Sequence, residues 1–275
     1  MSLDGKTILV TGATDGLGRL TAARLAADGA EVLLHGRDQA KGEAVLADLK
    51  ASTGNSKLKF YRADLADLPE VRALGAAVIS AHPRLDVLIN NAGVGLFGAG
   101  GRQSSRDGQE LHFQVNYLSP FLLTHLLLPT IRNSAPARIV NVSSMGQAPI
   151  DFDDVMLEHT YSGMQGYCQS KLAQIMFTID LAQKLKGTGV TVTALHPGTF
   201  MNTNMVTAGG FKPQTPVEEG VDATVRMAVS PEVEGETGVF YNQQVLGQAN
   251  AQASDPVARQ RLWDLSWKLA GLAAD

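Results

Sequence analysis

The 275 residues hold a single cysteine, Cys168. No intrachain disulfide can form, and no Cys/His group with metal-ligand spacing exists, so neither a disulfide scaffold nor a metal site is expected. Excess positive charge is missing too. Lys and Arg number 23 against 27 Asp and Glu, a formal net charge of −4, and the basic residues are scattered. That argues against a nucleic-acid partner. No basic and then apolar leader opens the chain, so no secretory signal is expected. The least charged stretch, 111–131, is interrupted by His112, Gln114, Asn116, Pro120 and His125. It reads as a buried core helix and not a membrane span. Internal linkers, repeats and low-complexity tracts are also lacking. One domain over residues 1–275, cytoplasmic and with no membrane partner, is the expectation.

What the chain does hold is a regular alternation. Short apolar runs at 6–10, 31–35, 58–62, 86–90, 138–142, 190–195 and 238–241 read as strands. Helical periodicity falls between and after them, at about 16–28, 38–51, 68–81, 107–131, 161–185, 217–229 and 256–269. The fourth helix is predicted to bend near Asn116 to Pro120. This alternation predicts an α/β, doubly wound Rossmann fold, with an about seven-stranded parallel sheet and helices on both faces.

Five places carry chemistry. Thr11-Gly12-Ala13-Thr14-Asp15-Gly16-Leu17-Gly18 joins the first strand to the first helix. Glycines there let the backbone turn and approach a pyrophosphate, and the helix N-terminus offers unpaired N–H groups. Gly36-Arg37 stands at the end of strand two, where an acid would bind a ribose 2′-OH and an arginine a 2′-phosphate. NADP(H) is therefore expected over NAD(H), with Asp38 and Asp15 as the residues that argue against it. Asn90-Asn91-Ala92-Gly93 and Ser143-Ser144 end strands four and five, at the carboxyl edge where such sheets bind ligands. Either could equally be a turn that caps its strand. Finally, Tyr167 and Lys171 lie four residues apart, on one helical face. A nearby ammonium is expected to pull the tyrosine below its ordinary pKa of roughly 10, making it a proton donor or acceptor at working pH.

Together these residues resemble the short-chain dehydrogenase/reductase family, over nearly the whole chain. The matching positions are Thr11 to Gly18, Asp64, Asn90 to Gly93, Asn116, Ser144, Tyr167 with Lys171, and His196-Pro197-Gly198. The Ser-to-Tyr spacing is longer than the family's usual one. That stretch, with Leu262-Trp263-Asp264-Leu265-Ser266, is similar to the retinol dehydrogenase and WW-domain oxidoreductase branch. The resemblance implies that Tyr167 is the general acid or base and that Ser144 polarises the carbonyl. Lys171 would tune Tyr167 and hold the nicotinamide ribose, and Asn116 would hold a water linking Lys171 to solvent. Asp64 and Leu65 would lie by the adenine, Asn90, Ala92 and Gly93 along the cofactor, and Pro197, Gly198, Thr199 and Thr203 by the carboxamide. Homodimers or homotetramers are common in the family through the long helices, here 107–131 and 160–186.

The expected activity is NADP(H)-dependent interconversion of a carbonyl compound and its alcohol. A catalytically silent NADP(H)-binding sensor is the rival, and a nucleotide-sugar epimerase or dehydratase a third reading. All four catalytic positions are filled, which weighs against the sensor. Only about 80 residues follow strand six, which weighs against the third reading. Stretches 145–165 and 199–216 are expected to wall the substrate with Met145, Ala148, Pro149, Ile150, Phe152, Met156, Phe200, Met201, Met205, Val206 and Phe211. They carry no arginine and a single lysine, Lys212, so a neutral, largely apolar substrate is expected. Cys168, His196, Trp263 and Trp267 read as packing residues.

Overall fold

A computed structural model describes residues 2–97 and 101–272. The elements, in chain order, are β1 (Thr7–Val10), α1 (Gly16–Ala27), β2 (Glu31–Gly36), α2 (Gln39–Thr53), β3 (Leu58–Arg62), α3 (Leu68–Ala81) and β4 (Val87–Asn90). A π-helical turn (Phe113–Leu118) leads into α4 (Ser119–Asn133). Then come β5 (Ala137–Val142), α5 (Gly163–Lys184), β6 (Val190–His196), α6 (Asn204–Ala208), α7 (Val217–Val229), β7 (Val239–Asn242), β8 (Val245–Leu246) and α8 (Pro256–Ala270). They form one α/β domain of Rossmann type.

The sheet has the order β3-β2-β1-β4-β5-β6-β7-β8. Its first seven strands are parallel, as predicted, and β8 is an antiparallel eighth beyond the expected seven. Two residues have no periodicity, which is why β8 is invisible in the sequence. The strand order reverses between β1 and β4, and the crevice above their carboxyl ends is where ligands of such sheets bind. One core, including Ile8, Val10, Leu25 and Val221, packs α1, α2 and α7 on one face. The other, built on Phe113, Tyr117, Phe121 and Phe177, packs α3, α4, α5 and α8 on the opposite face.

One expectation about the helices changes. Residues 107–110 are not helical: Ser104 and Glu110 form a β-bridge, and Asp107 Oδ2 accepts from Leu68 N–H at 2.9 Å and Gln114 Nε2 at 2.6 Å. Asp107 thus braces the start of α3 instead of opening a helix. α8 packs against α4 and α5. Trp263 lies 5.4 Å from Phe121 and 6.1 Å from Phe177, and Trp267 lies 5.0 Å from His125. No helix among the described residues is long and apolar enough to cross a membrane.

Candidate active site

The loop after β1 is closed by backbone demands. Gly12 has φ +66°, and a Cβ there would stand 2.8 Å from Ala92 Cα. A side chain at Gly18 would strike the Gly12 carbonyl. Loop and β4 end are stitched together: Thr11 Oγ1 accepts from the N–H groups of Asn91 and Ala92, both at 3.0 Å, and Asn91 Nδ2 donates to Thr11 O at 2.8 Å. The methyl of Thr14 packs over Gly36, at the end of β2. His35 adds a tie that the sequence did not suggest. Its Nδ1 accepts from Gly12 N–H at 3.3 Å, so Nε2 carries the proton and donates to Ala63 O at 3.1 Å. Burial pushes His35 down to about 4, which keeps it neutral.

Asp15 caps α1 by accepting from Gly16 N–H at 2.8 Å. Its other oxygen accepts from Lys41 Nζ at 2.6 Å and from Asn204 Nδ2 at 2.8 Å. The Lys41 hydrogen bond holds the Asp15 carboxyl below the usual carboxylate range. Asp38 likewise caps α2, through Lys41 N–H at 2.9 Å. Both acids at the mouth of the loop are thus engaged by the protein. Arg37 is exposed beside them, its carbonyl accepting from Arg62 Nε at 3.1 Å. Lys41 is a second cation in this corner, missed in the sequence because it lies within an ordinary polar helix. Leu17 is buried against the α1 core.

Several predicted cofactor residues prove to be turned inward. Asn90 is fully buried, donating to Thr124 Oγ1 at 3.1 Å and Asn141 Oδ1 at 2.8 Å. Its side chain belongs to the sheet interior, and Asn91 is the residue whose side chain reaches the glycine loop. Leu65 is also buried, in the core under the sheet. Asp64 is half-buried after β3, with Oδ1 accepting from Ala66 N–H at 3.0 Å. On the far side, Thr203 lies over Gly16, Gly198 packs on Met201 and Thr215, and Pro197 meets Gly220 of α7. Thr199 is exposed, with Oγ1 3.1 Å from Nε2 of the neutral His196. Burial, with Lys171 nearby, brings His196 down to about 4.

Ser144, Tyr167 and Lys171 converge above β5. The Ser144 hydroxyl accepts from Gly146 N–H at 3.0 Å, and Ser144 Oγ and the Tyr167 ring both border the backbone of Gly146. Ser143 faces the other way, donating to Lys171 O at 2.7 Å. Lys171 is buried, and its Nζ donates to Val142 O at 2.8 Å and Gln174 Oε1 at 3.0 Å. A Cβ on Gly93 would come within 3.7 Å of that Nζ. Asn116 sits in the π-helical turn, a distortion common at functional sites. Its Oδ1 accepts from Val94 N–H at 2.7 Å, and Nδ2 donates to Val94 O at 3.1 Å and Ser170 Oγ at 3.0 Å. The side-chain amide therefore clamps the loop after β4 to α5.

The expected lowering of the Tyr167 pKa is not what this geometry gives. Burial raises it, and the neighbouring Ser144 hydroxyl only opposes that rise. The Lys171 ammonium lies 5.7 Å from the Tyr167 ring and is engaged elsewhere. Burial brings Lys171 itself down to about 7. At neutral pH Tyr167 carries its proton.

The substrate walls differ in part from expectation. Ile150 is core, Phe152 lies under the Arg261 guanidinium at 4.6 Å, and Met156 accepts from Glu110 N–H through sulfur at 3.4 Å. Met201 packs in the other core. Met145 and Met205 remain exposed at the mouth, and Phe200 stacks on Phe211 at 4.7 Å. Phe97, from the loop after β4, joins them unforeseen, 5.1 Å from Tyr167 and 5.2 Å from Phe211.

A parallel dinucleotide-binding sheet with a Ser-Tyr-Lys cluster above its carboxyl ends defines a class of nicotinamide-dependent oxidoreductases. Comparison with known proteins agrees. The short chain dehydrogenase family model matches residues 6–210. Human retinol dehydrogenase 11 is 38% identical over 287 residues, covering 100% of this chain and 89% of that protein. Human retinol dehydrogenase 14 is 39% identical over 300 residues, covering 98% and 88%. Among solved structures, a Mycobacterium paratuberculosis protein superposes with a TM-score of 0.78 at 31% identity, covering 98% of this chain and 95% of its own. The Pseudomonas aeruginosa RhlG/NADP complex follows with a TM-score of 0.71 at 26% identity, covering 88% and 95%. The chain belongs to the short-chain dehydrogenase family, in the branch similar to the retinol dehydrogenases, and is an oxidoreductase.

Proposed function

We propose that the chain interconverts a neutral, largely apolar carbonyl compound and its alcohol, with NADP(H) preferred over NAD(H). The observation that carries this reading is the convergence of Ser144 and Tyr167, both within 3.7 Å of where a Cβ on Gly146 would stand, with Lys171 one helical turn on and its Nζ 3.7 Å from where a Cβ on Gly93 would stand. The fold suits a dinucleotide: the missing side chains of Gly12, Gly16 and Gly93 let the backbone lie close against Ala92, Thr203 and Asn116, as a tight phosphate-binding turn requires. The loop Gly12 to Gly18, with Thr14, Asp15, Gly16 and Leu17, would hold the pyrophosphate at the start of α1. Ala92 and Gly93 would line the nicotinamide ribose with Tyr167 and Lys171, and Pro197, Gly198, Thr199 and Thr203 the carboxamide. Asp64, with the backbone of Leu65 and Asn90, would border the adenosine. Bound there, a nicotinamide supplies or accepts the hydride.

The protein's own groups handle the proton. In reduction, Ser144 donates a hydrogen bond to the carbonyl oxygen as charge grows on it, and Tyr167 passes its phenolic proton to that oxygen. In oxidation Tyr167 takes the proton back. Asn116 fixes the loop and α5 relative to each other, so Lys171 stays aligned. The NADP preference is supported by Arg37 and Lys41 on the exposed corner and by the prior engagement of Asp15 and Asp38. A 2′-phosphate there would meet the Arg37 and Lys41 cations, with Asp15 paired to Lys41 and Asp38 accepting as the cap of α2.

Apolar character follows from Phe97, Phe200, Phe211, Met145 and Met205 around the mouth. Arg102, brought near this wall from outside the two stretches, already donates to Met156 O at 2.7 Å and Ser104 Oγ at 2.7 Å. Steady-state rates on a panel of apolar aldehydes and ketones, keto acids and phosphorylated sugars test the reading. Higher kcat/KM on the apolar compounds, rising with chain length, is expected. Preference for the anionic compounds would rule it out.

A further inference from the structure

Behind Tyr167 lies a buried pair that the mechanism does not use. Glu110 and His112 are both 0% exposed. His112 Nε2 accepts from Leu96 N–H at 2.9 Å. That contact fixes the tautomer: the proton is on Nδ1, 2.7 Å from Glu110 Oε1, and is donated to it. The second carboxylate oxygen accepts from Phe113 N–H at 2.8 Å. Removing a carboxyl and an imidazole from water is costly unless every polar atom is met, and here each is met. α5 makes room for the pair: a Cβ on Gly166 would stand 2.9 Å from His112 Nδ1 and 3.0 Å from Glu110 Oε1.

The outcome of this arrangement is the position of one ring. Asn116 holds Val94 at both its N–H and its carbonyl, and His112 holds Leu96. Gly163 lies too close to the Leu96 carbonyl for any side chain to be added. The next residue is Phe97, whose ring stands edge-on to Tyr167 at 66° and to Phe211 at 77°. His112 makes its own edge-on contact with Tyr167, at 6.4 Å and 87°.

We infer that Phe97 is a specificity-determining residue, shaping the apolar group next to the reacting carbonyl, and that His112 and Glu110 are its positioning residues. The inference rests on the apolar-substrate reading above. No other polar contact of His112 is needed to explain why a neutral imidazole is held at this depth: it hands the Leu96 N–H a rigid acceptor, anchored in turn by Glu110.

The test measures kcat and KM across a homologous series of straight-chain and ring-bearing aldehydes and ketones. The variants are Phe97→Ala, His112→Ala and His112→Gln. For Phe97→Ala, the kcat/KM loss should be small on the shortest substrate and grow to about tenfold or more on the longest, mainly through KM. His112→Ala should show the same graded loss. His112→Gln should recover it, because an amide can accept from Leu96 N–H and donate to Glu110. A uniform loss across the series for Phe97→Ala would overturn the inference, even if His112→Ala fails to fold. If the wild type turns over only anionic carbonyls, the apolar reading fails separately. The variant-to-wild-type ratio is then read across those compounds by size: graded sustains the role of Phe97, and uniform ends it.

Discussion

The two ends of the cleft were built by different means. At the cofactor end, β1, the glycine loop and α1 follow one another without a break over residues 7–27, and backbone groups do most of the work. At the substrate end, the groups around Tyr167 come from the loop after β4, the π-helical turn, the long stretch before α5 and the loop after β6. The first kind of site is carried by residue types at short spacing. The second depends on packing between segments far apart in the chain. A site of the second kind can therefore look the same in sequence while its side chains turn either way.

Ser143 and Ser144 offer the largest effect with which to break that contrast. Ser144→Ala should lower turnover by roughly a hundredfold or more, as loss of an oxyanion donor does. Ser143→Ala should leave turnover nearer normal. It removes the hydrogen bond to Lys171 O and should instead lower unfolding stability by about 1 to 3 kcal/mol, read by urea titration. The reverse order in kinetics would mean that packing at the substrate end has been misassigned.

The cofactor end is sharpened by its two cations. Arg37→Ala and Lys41→Ala should each weaken NADPH binding by about tenfold while leaving NADH binding little changed, as measured by fluorescence titration. Lys41→Ala also frees Asp15, whose carboxylate then repels the phosphate, so it should lower the preference for NADPH at least as much as Arg37→Ala does. Tighter binding of NADH than NADPH by the wild type would contradict the assignment.

How far the sequence could be read divides along the same line. Strand positions, helix spans such as Leu68–Ala81 and Val217–Val229, and the glycine loop were legible because periodicity and glycine spacing are local signals. Tyr167, Lys171 and Ser144 were picked out by the family pattern, and packing brings them near one another. Asn90 was not: whether its amide or that of Asn91 faces the loop depends on the pleat at the end of β4. Ile150, Phe152 and Met156 have the composition of a pocket wall, yet contacts with Gln252, Arg261 and Glu110 take them out of it. Glu110 and His112 look like ordinary polar interruptions of an apolar stretch. Trp263 and Trp267 were expected to pack, but that they pack on Phe121, His125 and Phe177 depends on contacts far apart in the chain.

The smallest expected effect is a slope. Lys171 loses its proton near pH 7 when folded, against 10.5 as its ordinary value. Between those values the unfolded chain holds more protons, so this group makes stability rise with pH there. Lys171→Met should remove that rise. The stability of the variant relative to wild type should fall steadily from pH 7 to 10.5, whatever its starting offset. Parallel stability curves would show that Lys171 stays charged at both ends of the window.

Turnover and NADPH affinity of Tyr167→Phe, measured side by side, test the central claim most directly. The change removes one hydroxyl from a ring that Phe97 and His112 still hold in place. The account predicts a fall in kcat of roughly a hundred- to ten-thousandfold with NADPH binding nearly unchanged. Near-normal turnover would contradict it, since no proton could then come from Tyr167.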